Sequence, residues 1–377
     1  MNEERIKILK MVEEGDLSAA EALQLLEELE AKQKKMEQKK EDLIEELSAA
    51  SGDNTEHEQK HEHEHSQSHY KYQSAVEKIF DFVDTSIKKL KEVDLDFNFG
   101  KSVEFTHVFQ HADADIQQFD VDIANGSVKL IPWEQKDVRI ECEAKIFRAG
   151  TTEEAREKFL KDVVFVVEGS KLKFFTQQKW MKLNAAIYFP QAEYDKIKVR
   201  LFNGKIEAEN VKAKQYKAKT ANGRITIDTI NSANVEISTG NGKVIINNGY
   251  IDDLEVETLN GKIVAEGDFK TLDAESFNGN VYCTLTGYRT QLIDARAATG
   301  NIELNLPGEA AVKGELKTNV GGFDILLDGI QITEEKRDVV QKKVRFKTVK
   351  EAEHVIKMTA NTNTGTITVK RAAEENK

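Results

Sequence analysis

Cysteine is scarce: Cys142 and Cys283 are the only two in 377 residues, and they lie far apart and in no C-x-x-C pair. This spacing gives no sign of a disulfide framework or a zinc knuckle, and a reducing compartment is the simpler reading. Long hydrophobic runs are missing too. The longest, Val163–Val167, has five residues, and the leading MNEERIKILKMVEEG carries no apolar stretch. Neither a signal peptide nor a membrane-spanning helix is therefore expected, which makes cytoplasmic residence the default and leaves peripheral membrane or surface association open. Cations are in deficit, with 54 Lys and Arg against 66 Asp and Glu for a formal charge of −12. That balance argues against nucleic acid as a partner and suits cationic partners better. The signatures H-E-x-x-H, G-x-S-x-G, G-x-x-x-x-G-K-[ST] and the dinucleotide fingerprint do not occur, so no enzyme and no cofactor is expected.

The acidity is concentrated at the front, where residues 1–50 hold 14 acidic and 8 basic side chains. Ile6, Leu9, Met11 and Val12 form one helical stripe, Gly15-Asp16-Leu17 breaks it, and Ser18-Ala19-Ala20-Glu21 matches a capping box. The spacing predicts a helical hairpin, which is too small to bury much alone and so is expected to self-associate or to meet a partner protein. Residues 51–69 read as a disordered His- and Glu-rich linker. Its His57, His61, His63 and His65, with His69 at the end, are weak candidate metal ligands, because a disordered ligand set must also meet its own ordering entropy. Residues 70–94 recover an amphipathic helix through Val76, Ile79, Phe80, Val83, Ile87 and Leu90, expected to dock on the β-region.

From residue 95 the periodicity changes to that of strands. Residues 95–194 alternate in short runs around one helix at Thr151–Asp162, and are expected to cap a repeat that starts at residue 195. In residues 195–328, Gly204, Gly223, Gly242 and Gly261 recur every 19 residues, and Gly279, Gly300 and Gly321 come next at 18, 21 and 21. The first five glycines are preceded by Asn203, Asn222, Asn241, Asn260 and Asn278, and apolar or small residues fall at −6, −4, −2, +3 and +5 from each Asn. Period-two alternation on both sides of a fixed turn predicts a mainly β protein. The expected fold is a parallel β-solenoid with coils of about 19 residues and two strands each, joined to a separate N-terminal α-helical segment. A lone Asn-Gly would suggest an antiparallel hairpin, and a meander or sandwich is the competing fold. Coils this alike cannot bury both strands alone, whereas stacking buries every inward position. Residues 329–377 are assigned to a C-terminal β cap and tail.

The stretch P-x-x-x-Y-x-x-I-x-V-x-x-x-N-G-x-I at Pro190–Ile206, followed by stacked N-G-x-I turns, resembles the bacterial adhesin-like DUF4097 β-solenoid family over most of Leu95–Lys370. The front end KILKMVEEGDLSAAEALQLLEEL and the junction Val93–Gly100 are similar to the narrower YvlB and LiaX group of Gram-positive bacteria, and the hairpin resembles a SHOCT-like oligomerisation domain. The resemblance implies a part in cell-envelope stress, with sensing of cationic antimicrobial peptides and restraint of a signalling pathway.

On the outward side of the coils, Lys205, Arg224, Lys243 and Lys262 occupy equivalent positions, followed by Asn280. Stacked about 4.8 Å apart, they would repel one another unless screened. Beside them Glu207, Thr226, Ile245, Val264 and Tyr282 make a partly apolar strip, a combination that suits an anionic lipid surface or a docked acidic helix, or that merely shields solvated turns. His107 and His111 read as a surface pair, and Cys142 and Cys283 as buried inert thiols. Outward acids Glu255, Glu257, Asp273 and Glu275 on neighbouring coils are the positions from which a polysaccharide-acting enzyme would be built. The expected function is a non-enzymatic envelope-stress accessory or sensor that binds a cationic peptide, a membrane surface or a signalling partner. A purely structural, adhesin-like assembly scaffold is the alternative.

Overall fold

The computed structural model describes residues 101–112, 115–308, 310–337, 341–349 and 354–372. The expected hairpin, His-rich linker and amphipathic helix of residues 1–94, with His57, His61, His63, His65 and His69, lie outside the described residues.

Antiparallel strands close the amino-terminal end. β1 (Ser102–His111) pairs with β3 (Val138–Phe147), and β3 with β6 (Met181–Pro190), while β4 (Val164–Glu168) pairs with β5 (Lys171–Thr176). The single described helix, α1 (Thr152–Asp162), starts where the Thr151 side chain accepts a hydrogen bond from the Glu154 amide. It buries Ala155 and Phe159, and Phe159 meets Phe105, Phe109 and His107 in an aromatic plug. Coverage of this kind is needed at the open end of a stack, because the first coil has no neighbour to shield its inward side chains.

Parallel stacking begins before residue 195. β2 (Gln118–Trp133) lies between β5 and β6 on one side and β7 (Tyr194–Asn222) on the other, all parallel, with Asn125 in register with Asn203 and Gly126 with Gly204. Two coils therefore sit inside the segment expected to serve as a cap. The stack continues through β8 (Ile225–Asn241), β9 (Val244–Asn260) and β10 (Ile263–Asn278), each in parallel register with the one before. Every position expected to point inward from the five Asn-Gly turns is buried, from Ile197 to Cys283.

Each of the first three full coils also carries a third short run. After Ile206–Glu209 the chain turns at Asn210, whose φ of 48 is left-handed, and Thr229 and Asn248 repeat the corner at φ 62 and 50. Val211 and Ala213, then Ile230 and Ser232, point inward beyond it before alternation lapses and the pre-turn run resumes. A run of three residues is too short to declare a period, which is why the pattern shows only the two longer ones. The coil thus has a pre-turn face, a post-turn face and a short third face.

The carboxy-terminal end departs from the order of the turn spacing. β11 (Val281–Leu285) and β12 (Leu292–Thr299) stack on β10, and β13 (Ile302–Leu306) stacks on β11. The neighbours of β12 and β13 are then β18 (Val355–Thr364) and β19 (Ile367–Arg371), and only beyond these come β14 (Ala311–Val320) and β15 (Phe323–Leu326). Gly321 is therefore stacked on Gly365 and not on Gly300, a correction to the simple series of turns. Much of the segment expected to be a cap is an intercalated coil. The capping role falls to the antiparallel ribbon of β16 (Ile330–Arg337) and β17 (Lys342–Thr348), laid against β14.

Candidate ligand-binding faces of the solenoid

The turn column fixes the geometry of everything around it. The Nδ2 of Asn203 donates to Oδ1 of Asn125 at 2.9 Å, and Asn222, Asn241, Asn260 and Asn278 each donate to the preceding asparagine at 2.8–2.9 Å. Two positions before the turn, Thr220, Thr239, Thr258 and Ser276 donate inward hydroxyls to the carbonyls of Gly204, Gly223, Gly242 and Gly261 at 2.9–3.1 Å. At Gly242 a Cβ would lie 1.8 Å from the Gly223 carbonyl oxygen. Close approach of successive coils therefore demands glycine there, whereas Gly204, with φ 137, also needs its conformational freedom. Stacking locks side chains of equivalent coils into columns about 4.8 Å apart.

On the post-turn face the expected basic ladder forms, because the amides of Ile206, Ile225 and Val244 donate to the carbonyls of Arg224, Lys243 and Lys262. Its ends are screened from within. Lys205 Nζ contacts both carboxylate oxygens of Glu207 at 3.0 Å, while Lys262 lies over the Tyr282 ring at 4.1 Å and Asn280 donates to the Tyr282 hydroxyl. Arg224 and Lys243 in the middle have no ion pair or hydrogen-bonding side-chain partner among the described residues. In the next column Thr226, Ile245, Val264 and Tyr282 are in register and half-buried.

On the pre-turn face the outward charges fall into blocks. Lys198, Arg200, Lys217 and Lys219 lie toward the amino-terminal end, and Arg200 pairs with Asp122 at 2.6 Å while Lys217 and Lys219 both reach Glu236 at 2.7 Å. Glu255, Glu257, Asp273, Glu275 and Asp294 come next, with Ser238, Glu257, Glu275 and Arg296 in one register column. Arg296 binds Asp273, Glu275 and Asp294 at 2.7–3.0 Å. Glu255 and Glu257 have no ion pair among the described residues. Glu257 is only 6% exposed, and burial, reinforced by Glu255 and Glu275, pushes its carboxyl up to about 9. Burial raises Asp273 to about 6 against the pull of Arg296. The sequence places these acids on neighbouring coils, but no signal in it marks Glu257 as the one withdrawn from water.

Elsewhere, His107 packs on Phe109 and Phe159, and burial lowers its pKa, while His111 is exposed on the same strand. Cys142 and Cys283 are buried free thiols, each pushed up to about 12 by burial. Among the described residues no cluster of His, Cys, Asp and Glu is arranged to hold a metal ion, and no helix is long and apolar enough to cross a membrane.

A parallel stack with a glycine turn column running from Gly126 to Gly321, Asn-Gly as far as Gly279, matches the Toastrack DUF4097 family model over residues 116–370. The chain belongs to this family. A SHOCT-like domain model matches residues 3–34. The Bacillus subtilis (strain 168) protein YvlB is 46% identical over 370 residues, covering 98% of this chain and 99% of that protein. Similar solved structures include a candidate adhesin from Bacteroides fragilis NCTC 9343, 10% identical with a TM-score of 0.33 over 70% of this chain and 97% of its own. A candidate cell adhesion protein from Clostridium sporogenes ATCC 15579 is 14% identical, with a TM-score of 0.24 over 72% of this chain and 100% of its own. None of these matches points to an enzyme family.

Proposed function

We propose that this Toastrack protein is a non-enzymatic accessory of the cell-envelope stress response, a rigid scaffold that binds a membrane surface, a cationic antimicrobial peptide or a signalling partner on its charged faces. The observation that carries the reading is the post-turn face. Exposed Arg224 and half-buried Lys243 have no partners among the described residues and lie beside half-buried Ile245, Val264 and Tyr282 on a backbone held by stacked turns. Cations adjoining an apolar strip suit an anionic lipid headgroup layer, because electrostatic attraction brings the surface close and apolar contact retains it. The similarity of the front end to the YvlB and LiaX group supports the stress assignment. Self-association through the SHOCT-like segment would multiply each weak contact by avidity.

The test combines native-cell fractionation, with and without envelope stress, and sedimentation with phosphatidylglycerol or phosphatidylcholine vesicles. The expected result is stress-dependent appearance in the membrane or surface pool and binding to the anionic vesicles alone, weakened by the double substitution R224E/K243E. Constant cytosolic residence together with vesicle binding that ignores the substitution would overturn the reading. A second reading, a purely structural adhesin-like assembly unit, is favoured by the terminal strand β15, which pairs only with β19 among the described residues and leaves Leu326 63% exposed at an open sheet edge. Light scattering that finds a monomer at all concentrations would count against it.

A further inference from the structure

Among the described residues the stack ends in four edge strands, and three of them are poor templates for a further strand. β4 and β15 pair over only five and four residues. β16 carries a register shift between Ile332 and Glu334 and the charges Glu334, Glu335, Lys336 and Arg337. Short length, bulges and charge are what keep an exposed edge from pairing. β1 has little of this protection. It pairs with β3 without a break from Ser102 to His111, and no described residue pairs with its far side. Its sequence SVEFTHVFQH contains no Lys, Arg, Pro or Gly, and its one acidic residue, Glu104, is taken up by Lys145 on β3 at 2.7 Å.

The inward row of β1 is also incompletely covered. Val103, Phe105, His107 and Phe109 are half-buried, while Ile146, Ala144, Cys142 and Ile140 opposite them on β3 are 0–2% exposed. Phe159 of α1 shields the row from within, but no strand lies beyond it to complete the cover or to bond the N–H and C=O groups that about half of the strand turns outward. We propose that a second copy of this chain pairs with β1, antiparallel about a two-fold axis through Thr106. An axis perpendicular to the sheet sets inward residues opposite inward ones, because a slip of one residue would exchange the two faces. Phe105 then lies opposite His107 of the second copy, Val103 opposite Phe109, Glu104 opposite Val108, Ser102 opposite Gln110, and Thr106 opposite its own copy. Aromatic, aromatic–β-branched and Thr–Thr pairs stabilise neighbouring strands, and no two like charges meet. The next register, with His107 on the axis, would set two imidazoles against each other. The same sequence supplies both halves of this match, which is what an isologous contact requires and an unrelated strand does not provide. Pairing would also join the two post-turn faces into one sheet with both basic ladders on the same side. The proposal rests neither on the membrane reading nor on the edge of β15 at the other end of the stack.

The test uses the full chain with single cysteines on the exposed side of β1, oxidation by copper phenanthroline and non-reducing gels. Native Cys142 and Cys283 are buried and add little background. Opposite residues of an antiparallel pair lie within disulfide reach, whereas position 104 and its own copy would be offset along the strands by about 14 Å. T106C alone should therefore give at least about tenfold more linked dimer than E104C or V108C alone, and a mixture of E104C with V108C should link as T106C does. Thermal melts verify that each variant is folded. Equal linking by all three alone would show random collision and overturn the pairing, as would the absence of a T106C dimer. Linking of T106C to V108C in place of itself would move the axis to His107 and overturn the register. In native cells, linking of T106C to a different protein with no homodimer would assign the edge to that partner instead. Adding R224E/K243E to T106C should leave the link unchanged, so failure of the vesicle reading and failure of this one are distinguishable.

Discussion

Substituting Gly242 by alanine tests whether the turn column governs the stack. The added Cβ would sit 1.8 Å from the Gly223 carbonyl oxygen and 2.6 Å from its carbon, about half an ordinary contact distance, so the coils must part locally. Parting them strains the Gly223 amide bond to the Asn241 carbonyl and the Asn241 to Asn222 side-chain bond. Overpacking costs about 1–3 kcal/mol and each weakened hydrogen bond about 1 kcal/mol, for a total of about 3–5 kcal/mol. That corresponds to a fall in melting temperature on the order of 10 °C for a unit of this size. Gly322 is the control, since a Cβ there meets nothing within 4 Å, and its alanine variant should stay within about 0.5 kcal/mol of the parent. Urea and thermal unfolding, followed by circular dichroism, compare the two. If Gly242→Ala is as stable as Gly322→Ala, close approach of coils is not what selects glycine at the turn.

Deleting residues 355–377 removes the coil between Gly300 and Gly321, so hydrogen-exchange protection should collapse in Ile302–Leu306 and Ala311–Val320 together; survival of either would contradict the intercalated order. The folded state holds Glu257 protonated well above the value of 4.5 that it has when unfolded. Stability is therefore lost as pH rises from about 4.5 toward 9, and E257Q should flatten that slope in melts taken across the range. Cys283 is buried with its thiol held in the neutral form, so iodoacetamide should label it only after denaturant is added; rapid labelling of the native chain would refute its inward position.

The repeat was legible because its physics is local and periodic. The first five turns carry an Asn-Gly pair, and each flanking run needs small or apolar residues at every second place, so Tyr216, Val235, Leu254 and Leu272 could be assigned inward without coordinates. The corner at Asn210, Thr229 and Asn248 escaped because its residue types vary and the run beyond it is three residues long. The basic ladder was found by counting from the turn, but whether its cations are neutralised depended on Glu207 and Tyr282, whose reach toward Lys205 and Lys262 depends on side-chain geometry.

What the sequence determined by itself is the parallel solenoid, its turn column and the identity of the residues inside, since period, alternation and turn chemistry all operate within one coil and its immediate copy. Tertiary structure alone decided the order of the last coils and the burial of Glu257. Every coil offers nearly the same edge to a neighbour, so turn spacing along the chain cannot tell which edge Val355–Arg371 will join. The state of an outward carboxylate, likewise, is set by side chains from other coils and by what covers them, and those distances are fixed only when the stack is complete.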